Sequence, residues 1–154
     1  MERLLGRYQF AVDPKGRIKI PARFRKILAP KADTPTIITR GFDKCLALYP
    51  ITEWETVERE LRALPYNLAN SRLYTREMAS HAVEAELDKQ GRVLLSREHR
   101  EWADIDTEVL ILGVITHLEI FNPEEYERYR SGFGLPYERV AEELHRLRTG
   151  NPSE

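Results

Sequence analysis

The chain has 154 residues, of which 42% are hydrophobic and 32% charged, so it forms one domain or two very small ones with enough apolar residues for a core. Its single cysteine, Cys45, excludes an internal disulfide and fits a reducing compartment. The sequence lacks the run of about 18 apolar residues that a membrane span needs, and it lacks the apolar core of a signal peptide. We therefore expect a cytoplasmic protein with no membrane partner.

The formal net charge of −1 hides an uneven distribution of charge along the chain. Residues 1–31 contain nine Lys or Arg side chains and two acidic ones, a net charge of +7, so the remainder carries −8. A basic segment on an otherwise acidic chain predicts a partner with negative charge, such as nucleic acid. On charge alone, a chance cluster of basic residues stays open as the alternative.

The first predicted elements are two strands joined by a tight turn. Alternating apolar residues lead into Asp13-Pro14-Lys15-Gly16-Arg17 and a short apolar run follows, which predicts a hairpin over residues 8–20. Asp first, Pro second and Gly fourth favour a type I turn that continues into a glycine of positive φ. Lys15 and Arg17 then project from the hairpin tip, although a merely solvated tip is the simpler interpretation of one such motif.

The remaining elements follow from apolar spacing and from Pro and Gly breaks. Two details are specific: Thr52 and Glu55 predict a capping box, and Gly113 predicts a turn. In chain order the predicted elements are helix 22–28, strands 36–39 and 45–49, helices 53–64 and 67–80, strands 83–87 and 93–95, helix 96–102, strands 108–112 and 117–121, a helix through 126–129, and a last helix with the apolar stripe Tyr137, Val140, Ala141, Leu144 and Leu147.

The chain contains an internal repeat. Residues 8–25 match 83–100 at an offset of 75, and residues 37–54 match 109–126 at an offset of 72. The hairpin tip thus recurs as Asp88-Lys89-Gln90-Gly91-Arg92, and Trp54 corresponds to Tyr126. Because a unit of ~45 residues is too small to bury a core alone, we expect the two units to pack into one intramolecular pseudo-dimer.

The motifs in these repeats resemble a known family. The run Gly6 … Asp13-x-Lys15-Gly16-Arg17-Ile18-x-Ile20-Pro21-x-x-Phe24-Arg25, with Leu46-x-Leu48-Tyr49-Pro50, Glu53-Trp54 and Asp88-x-x-x-Arg92, is similar to the signature of the MraZ family of bacterial transcription regulators. The match covers roughly residues 4–130, and the repeated unit resembles the swapped-hairpin AbrB/SpoVT DNA-binding domain.

The resemblance implies an α+β, β-rich fold, in which tandem AbrB-like swapped-hairpin units form an intramolecular pseudo-dimeric β-barrel core with flanking helices. The first unit would span 5–52 and the second 81–124. A helical connection would occupy 53–80, and C-terminal helices with a tail would occupy 125–154. The acidic C-terminal helices would serve subunit packing, or they would merely cover their own subunit's core.

The resemblance also implies a function: repression of the division and cell-wall gene cluster by a nucleoid-associated, octamer-like homo-oligomeric ring bound to short direct repeats in double-stranded DNA. The Asp-x-x-x-Arg motifs of the family carry DNA contacts and correspond here to Asp13/Arg17 and Asp88/Arg92. The predicted DNA-binding residues are Arg17 first, Lys15 and Arg92 next, and Arg7, Arg23 and Arg25 as supporting charges, while Asp13, Gly16, Asp88 and Gly91 shape the turns.

The second copy departs from the pattern at three positions. Gln90 stands where Lys15 stands, Ser96 where Pro21 stands, and His99 where Phe24 stands. The second hairpin is therefore expected to offer one cation, Arg92, against two in the first, and to contribute less to DNA affinity.

The sequence shows no enzyme or metal motif. The four histidines lack ligand spacing, and neither a phosphate-binding glycine loop nor a nucleophile elbow occurs. We therefore expect no catalytic residue, metal, cofactor or small-molecule substrate. A protein of another class stays open: a ring-forming scaffold or antitoxin-like protein whose hairpins bind a protein partner.

Overall fold

The computed structural model describes residues 3–150, and the chain falls into two compact units, Met1–Pro123 and Glu124–Glu154. The predicted tail beyond Gly150 lies outside the described residues. The elements in chain order are β1 (Leu4–Ala11), β2 (Arg17–Lys19), α1 (Ala22–Leu28), β3 (Thr36–Arg40), β4 (Leu46–Pro50), α2 (Ile51–Ala63), α3 (Ala69–Ser80), β5 (Val83–Ala85), β6 (Arg92–Leu94), α4 (Arg97–Trp102), β7 (Glu108–Ile115), β8 (Leu118–Phe121), α5 (Pro123–Ser131) and α6 (Tyr137–Thr149).

The strands form two antiparallel sheets. The larger sheet has six strands in the order β1-β7-β8-β4-β3-β5, and β2 and β6 form a separate pair. The α+β class with a large antiparallel sheet is therefore confirmed. The described strand pairs leave β1 and β5 at the edges of the larger sheet, so its hydrogen bonds do not close it into the predicted barrel.

The two repeats exchange strand partners. Strand β1 of the first repeat pairs along its whole length with β7 of the second, and β5 of the second repeat pairs with β3 of the first. The predicted hairpin is correspondingly short, because the strands on either side of its turn pair only at the bridge between Val12 and Ile18. Beyond that bridge β1 and β2 separate and join strands of the other repeat.

One core lies between the exchanged strands. Its fully buried side chains come from both repeats, since Ile18 and Val93 face each other across β2 and β6, and Phe24 of α1 joins them. A smaller cluster packs Trp54 of α2 against Tyr49, with ring centroids 5.6 Å apart. The main core is thus shared between the two repeats, as the small size of one unit requires, whereas the smaller cluster is formed by the first repeat and the helices that follow it.

The departures of the second repeat fit this fold. Ser96, in the position of Pro21, caps α4, because its Oγ accepts a hydrogen bond of 3.1 Å from the His99 amide. His99, in the position of Phe24, is buried, and its Nε2 lies 2.7 Å from the His81 carbonyl oxygen. A polar cap and a hydrogen-bonded ring thereby replace proline and an apolar ring without loss of the helix.

Two local predictions were wrong. Helix α2 begins at Ile51, directly after Pro50, so Thr52 lies inside the helix and no side chain caps it. Gly113 is not in a turn: it lies within β7 opposite Gly6, and a Cβ there would come within 2.7 Å of the Leu4 backbone. The glycine instead permits the close approach of β1.

The aromatic pair predicted from the repeat occupies matching helix positions. Trp54 is the fourth residue of α2, and Tyr126 is the fourth residue of α5. In the second compact unit, α6 carries its apolar stripe on a helix without a buried side chain. Across residues 3–150, none of the helices combines the length and the apolar character that crossing a membrane would require.

Candidate functional site

The first repeated motif forms a loop, here termed loop 1 (Asp13–Arg17), that the Asp13 carboxylate organises. Its Oδ1 accepts hydrogen bonds of 2.9 Å from the backbone amides of both Lys15 and Arg17. Its Oδ2 accepts one of 2.7 Å from Nε of Arg17. The Gly16 amide donates to the Asp13 carbonyl oxygen at 2.9 Å and closes the turn, with a φ of +86° at the glycine.

Loop 2 (Asp88–Arg92) repeats this geometry atom for atom. The Asp88 Oδ1 accepts from the amides of Gln90 and Arg92, and its Oδ2 accepts from Nε of Arg92, all at 2.9 Å. Gly91 closes the turn with a φ of +75°. In both copies the aspartate lies four residues before the arginine and the glycine lies directly before it. The turn that these two residues predict is therefore present in both loops.

The two loops lie side by side about a local two-fold axis. Strands β2 and β6 pair with Ile18 opposite Val93 at the centre. Beyond this pair, the Ile20 amide donates to the Gly91 carbonyl and the Leu95 amide donates to the Gly16 carbonyl, both at 2.9 Å. Each loop is thus hydrogen-bonded to the chain segment that follows the other loop.

An arginine from each repeat supports the loop of the other repeat. Arg25 of α1 donates from Nε to the Ile20 carbonyl oxygen at 2.9 Å and lies against Gly91 of loop 2. Arg100 of α4 donates to the Leu95 carbonyl oxygen at 3.2 Å and lies against Gly16 of loop 1. The two glycines therefore combine positive φ with a close approach of a guanidinium group, and both features favour glycine.

The electrostatics of the loops favour ionised aspartates. The amide of Arg17 that donates to Asp13 lowers the pKa of that carboxyl below its ordinary value, despite an opposing contribution from desolvation, and the Arg17 side chain lowers it further. The Arg92 amide lowers the pKa of Asp88 in the same way. Both carboxylates consequently keep their charge and hold the arginine side chains four residues on.

The structure brings Arg17 and Arg92, the arginines of the two predicted motifs, close together. The side chains of Arg17 and Arg92 are 28% and 30% exposed, and the Arg92 Nη1 atom is 3.8 Å from Oδ2 of Asp13 in the neighbouring loop. Within residues 3–150, the hydrogen bonds of both arginines use the backbone amide and Nε. Apart from the ion pair of Arg92 Nη1 with Asp13, the terminal amino groups therefore remain for an incoming acceptor. Lys15 is exposed on loop 1.

The predicted supporting charges occupy different environments. Arg23 is exposed on α1 and donates to the Tyr8 hydroxyl at 3.0 Å. Arg7 is exposed on β1 opposite Leu112, outside both loops. Arg25 is half-buried and holds the loop 2 region, so the structure gives this residue a supporting role within the fold.

Sequence reasoning missed two residues of this surface. Lys89 is an exposed member of loop 2, so loop 2 offers two cations, as loop 1 does. Lys89 stands at the position of Pro14, so aligning the two copies at Lys15 and Gln90 does not reveal this second cation. Arg100 corresponds to Arg25 at the same offset of 75, and that correspondence was the available signal for its role.

Other chemistry finds no support around these loops. No group of three or more His, Cys, Asp or Glu side chains in the described part of the chain is arranged to hold a metal ion. Burial raises the pKa of the Cys45 thiol, whose Sγ donates to the Phe42 carbonyl oxygen at 3.1 Å. A buried, protonated thiol is a poor nucleophile.

The fold and site together define a two-repeat α+β protein in which two matched, arginine-bearing loops form one composite surface. A family model described as "MraZ protein, putative antitoxin-like" matches the chain twice, over residues 4–77 and 78–146. The chain belongs to the MraZ family, as the motifs predicted.

Curated relatives agree with this assignment. The chain is 40% identical over 146 residues to a protein named transcriptional regulator MraZ from Pelotomaculum thermopropionicum, covering 95% of this chain and 98% of the relative. It is 43% identical over 140 residues to the protein of the same name from Syntrophomonas wolfei, covering 91% and 95% of the two chains. A family of transcriptional regulators is consistent with the expectation of a protein that is not an enzyme.

Proposed function

We propose that this protein is a sequence-specific DNA-binding transcriptional regulator. It binds short direct repeats in double-stranded DNA as a homo-oligomeric, octamer-like ring and represses the bacterial division and cell-wall gene cluster. The observation that carries this proposal is the composite surface of loops 1 and 2, in which Arg17 and Arg92 are each positioned by an aspartate of the same loop. The names of the relatives support the regulatory role.

The chemistry of the loops suits a DNA partner. An arginine guanidinium offers a planar fork that binds two acceptors at once, either on a phosphate or on the guanine edge in the major groove. The aspartate bonds to Nε and leaves the outer fork of the guanidinium for the ligand. In each loop, two backbone amides donate to the aspartate carboxylate and the glycine amide closes the turn. Because these bonds fix the loop backbone, little conformational entropy is lost on binding.

Assembly into a ring would multiply weak individual contacts. Helix α6 exposes large apolar side chains, with Tyr137 85%, Leu144 59% and Leu147 68% exposed. Contiguous apolar surface of this kind marks interaction sites, and a second copy of the same chain is the occupant that a homo-oligomer supplies. Linked loops on repeated DNA sites would then bind with an avidity far above the affinity of one loop pair. A regulator of this kind would reside in the cytoplasm, at the nucleoid.

The decisive experiment selects bound fragments from the host's own DNA and then footprints them. Recovery of one short repeated sequence upstream of a few genes is the expected result. Purified protein should then shift that duplex in preference to a scrambled one, with a salt-dependent affinity. Random recovery of fragments, with equal affinity for the scrambled duplex, would refute sequence-specific binding.

A matched pair of variants locates the binding surface. Replacing Arg17 by Ala removes a loop cation, and replacing Arg62 by Ala removes a cation that is 82% exposed on α2, a helix that packs on β3 and β4. Only the first change should weaken DNA binding. Equal losses for both variants would mean that the protein binds through its overall charge.

A second candidate function follows from the family description, which contains the words "antitoxin-like". In that case the loops, or the exposed apolar helix α6, would bind a protein partner. Affinity purification from the host with wild-type protein and with the Arg17→Ala variant distinguishes the two functions. A stoichiometric protein partner that is lost in the variant, together with an absence of DNA binding, would favour the antitoxin-like function.

A further inference from the structure

Basic side chains surround loop 2 more densely than loop 1. A groove, here termed the α1 groove, runs between α1 and loop 2 and contains the side chains of Arg25, Lys26 and Lys89. Its one acidic member is Asp88, whose carboxylate already accepts three hydrogen bonds from loop 2. A second groove beside α1 contains the side chains of Lys19, Arg23 and again Arg25.

The equivalent surface around α4 carries the opposite charge balance. At the offset of 75 residues, Lys26 corresponds to Glu101 and Arg23 corresponds to Glu98. Lys19 corresponds to Leu94. Lys89, which belongs to the second repeat, corresponds to Pro14 in the first. Four cations on the α1 side are thus replaced by two carboxylates and two uncharged residues on the α4 side. Two cations go the other way, since Lys15 of loop 1 corresponds to Gln90 and Arg97 of α4 corresponds to Ala22, so the α1 side keeps the larger excess of positive charge.

Because the repeats exchange strands, the basic helix α1 packs beside loop 2 and not beside loop 1. Helix α1 belongs to the first repeat, yet its Arg25 lies against Gly91 of loop 2. Helix α4 lies against loop 1 through Arg100, and Arg97 and Glu101 of that helix form an ion pair of 2.9 Å. Loop 2 therefore has the more positive surroundings, although the sequence of the loop itself predicts the weaker contribution to DNA affinity.

We propose that the DNA backbone binds to one side of the local two-fold axis, along α1, with Lys26 and Lys89 contacting phosphate across the α1 groove. Loop 2 is then the more strongly bound of the two loops, and the α4 side contributes little. This inference rests on the proposed DNA-binding function and adds to it the position of the phosphate contacts. The four basic residues that occur only on the α1 side, Lys19, Arg23, Lys26 and Lys89, are all exposed.

The size of the expected effect follows from counterion release. Each phosphate contact contributes about −0.9 to the slope of log affinity against log salt concentration. Relative to 1 M salt, one contact therefore raises the affinity at 0.1 M salt by roughly eightfold. Replacing Lys26 by Ala should therefore weaken binding to a duplex of about one helical turn, roughly 10 base pairs, by about eightfold. Replacing Glu101 by Ala should change the affinity less than twofold.

The sharpest test is a charge exchange that preserves the net charge of the chain. The double variant Lys26→Glu with Glu101→Lys moves one cation from the α1 side to the α4 side. Both positions are exposed, so the fold should persist, and circular dichroism and light scattering check this. The exchanged protein should bind the duplex at least tenfold more weakly than wild type and with a smaller salt slope.

Each outcome of this titration decides between the explanations. Unchanged affinity in the exchanged variant would mean that DNA covers both sides of the axis equally, and increased affinity would place it on the α4 side. Either result overturns the inference while leaving DNA binding intact. Failure of the wild-type protein to bind any duplex would instead refute the proposed function, and the inference with it.

Discussion

The two loop glycines are expected to differ in their tolerance of alanine, although they occupy equivalent positions. Gly16 and Gly91 both have positive φ, at +86° and +75°. An L-residue in this conformation costs roughly 1–2 kcal/mol, so both substitutions share that cost. The expected difference in destabilisation arises from the arginine side chain that lies against each glycine, Arg100 at Gly16 and Arg25 at Gly91.

At Gly91, a Cβ atom would lie 2.1 Å from Nε and 2.3 Å from Cζ of Arg25, a separation that requires the side chain to leave. Its hydrogen bond to the Ile20 carbonyl oxygen would then be lost, and a bond with a charged donor contributes about 1.5–3 kcal/mol. At Gly16, the nearest atoms of Arg100 are 3.0 Å away, and a shift of a few tenths of an ångström accommodates the Cβ. We therefore expect a loss of about 2.5–5 kcal/mol for Gly91→Ala against about 1–2 kcal/mol for Gly16→Ala.

Urea denaturation measures both values, and one fixed protein concentration is used because the stability of the proposed oligomer would depend on concentration. The control is the same comparison in an Arg25→Ala background. There, the Gly91→Ala change should cost no more than Gly16→Ala does in the wild type, because the displaced side chain is already absent. Equal costs for Gly16→Ala and Gly91→Ala in the wild-type background would refute the supporting role of Arg25.

Three further predictions concern the loops and the C-terminal helix. Replacing Arg17 by Ala should leave folding and assembly intact and weaken specific DNA binding by about 1–3 kcal/mol per loop if the Arg17 side chain contacts a base, whereas contact with phosphate alone would give a nearly sequence-independent loss. A DNA-binding titration of the Arg92→Ala variant tests loop 2 in the same way. The lowered pKa values of Asp13 and Asp88 predict that loop order is present at neutral pH and is lost only as the pH falls through values below the usual Asp pKa of about 3.9; amide chemical shifts of the two loops followed by NMR would contradict this if they titrated at or above that value. The Leu144→Glu substitution, at a side chain that is 59% exposed, should dissociate the proposed oligomer into smaller species without unfolding the chain. An unchanged mass in light scattering would place the subunit interface elsewhere.

Local features of this fold could be predicted from the sequence because local residues determine them. The aspartate and glycine of each loop specify the turn through hydrogen bonds within five residues. Helix α1 was predicted with its observed bounds, since Pro21 precedes it and apolar residues recur at helical spacing. The internal repeat likewise required only the comparison of one segment with another.

Features that depend on contacts between the repeats could not be derived in this way. Arg25 has the same local sequence whether it faces solvent or the backbone of loop 2, and only the exchange of strands decides between them. Gly113 has the signature of a turn residue, but its role is to let β1 approach β7. The pairing of β1 with β7 competes with a simple hairpin that is equally compatible with the alternation of apolar residues.

The local two-fold axis between the loops has a consequence for how such a surface can evolve. A dimer of identical single-repeat chains presents the same residues on both sides of its axis, so any mutation that adds a charge on one side adds it on the other. Once two copies are joined in one chain, each position can change independently. Lys26 and Glu101 show the result, with opposite charges at corresponding sites. Gene fusion thus allows the two sides of a symmetric fold to carry different charges, so that a ligand can bind in one orientation. The shared hydrophobic core around Ile18 and Val93 need not change in the process.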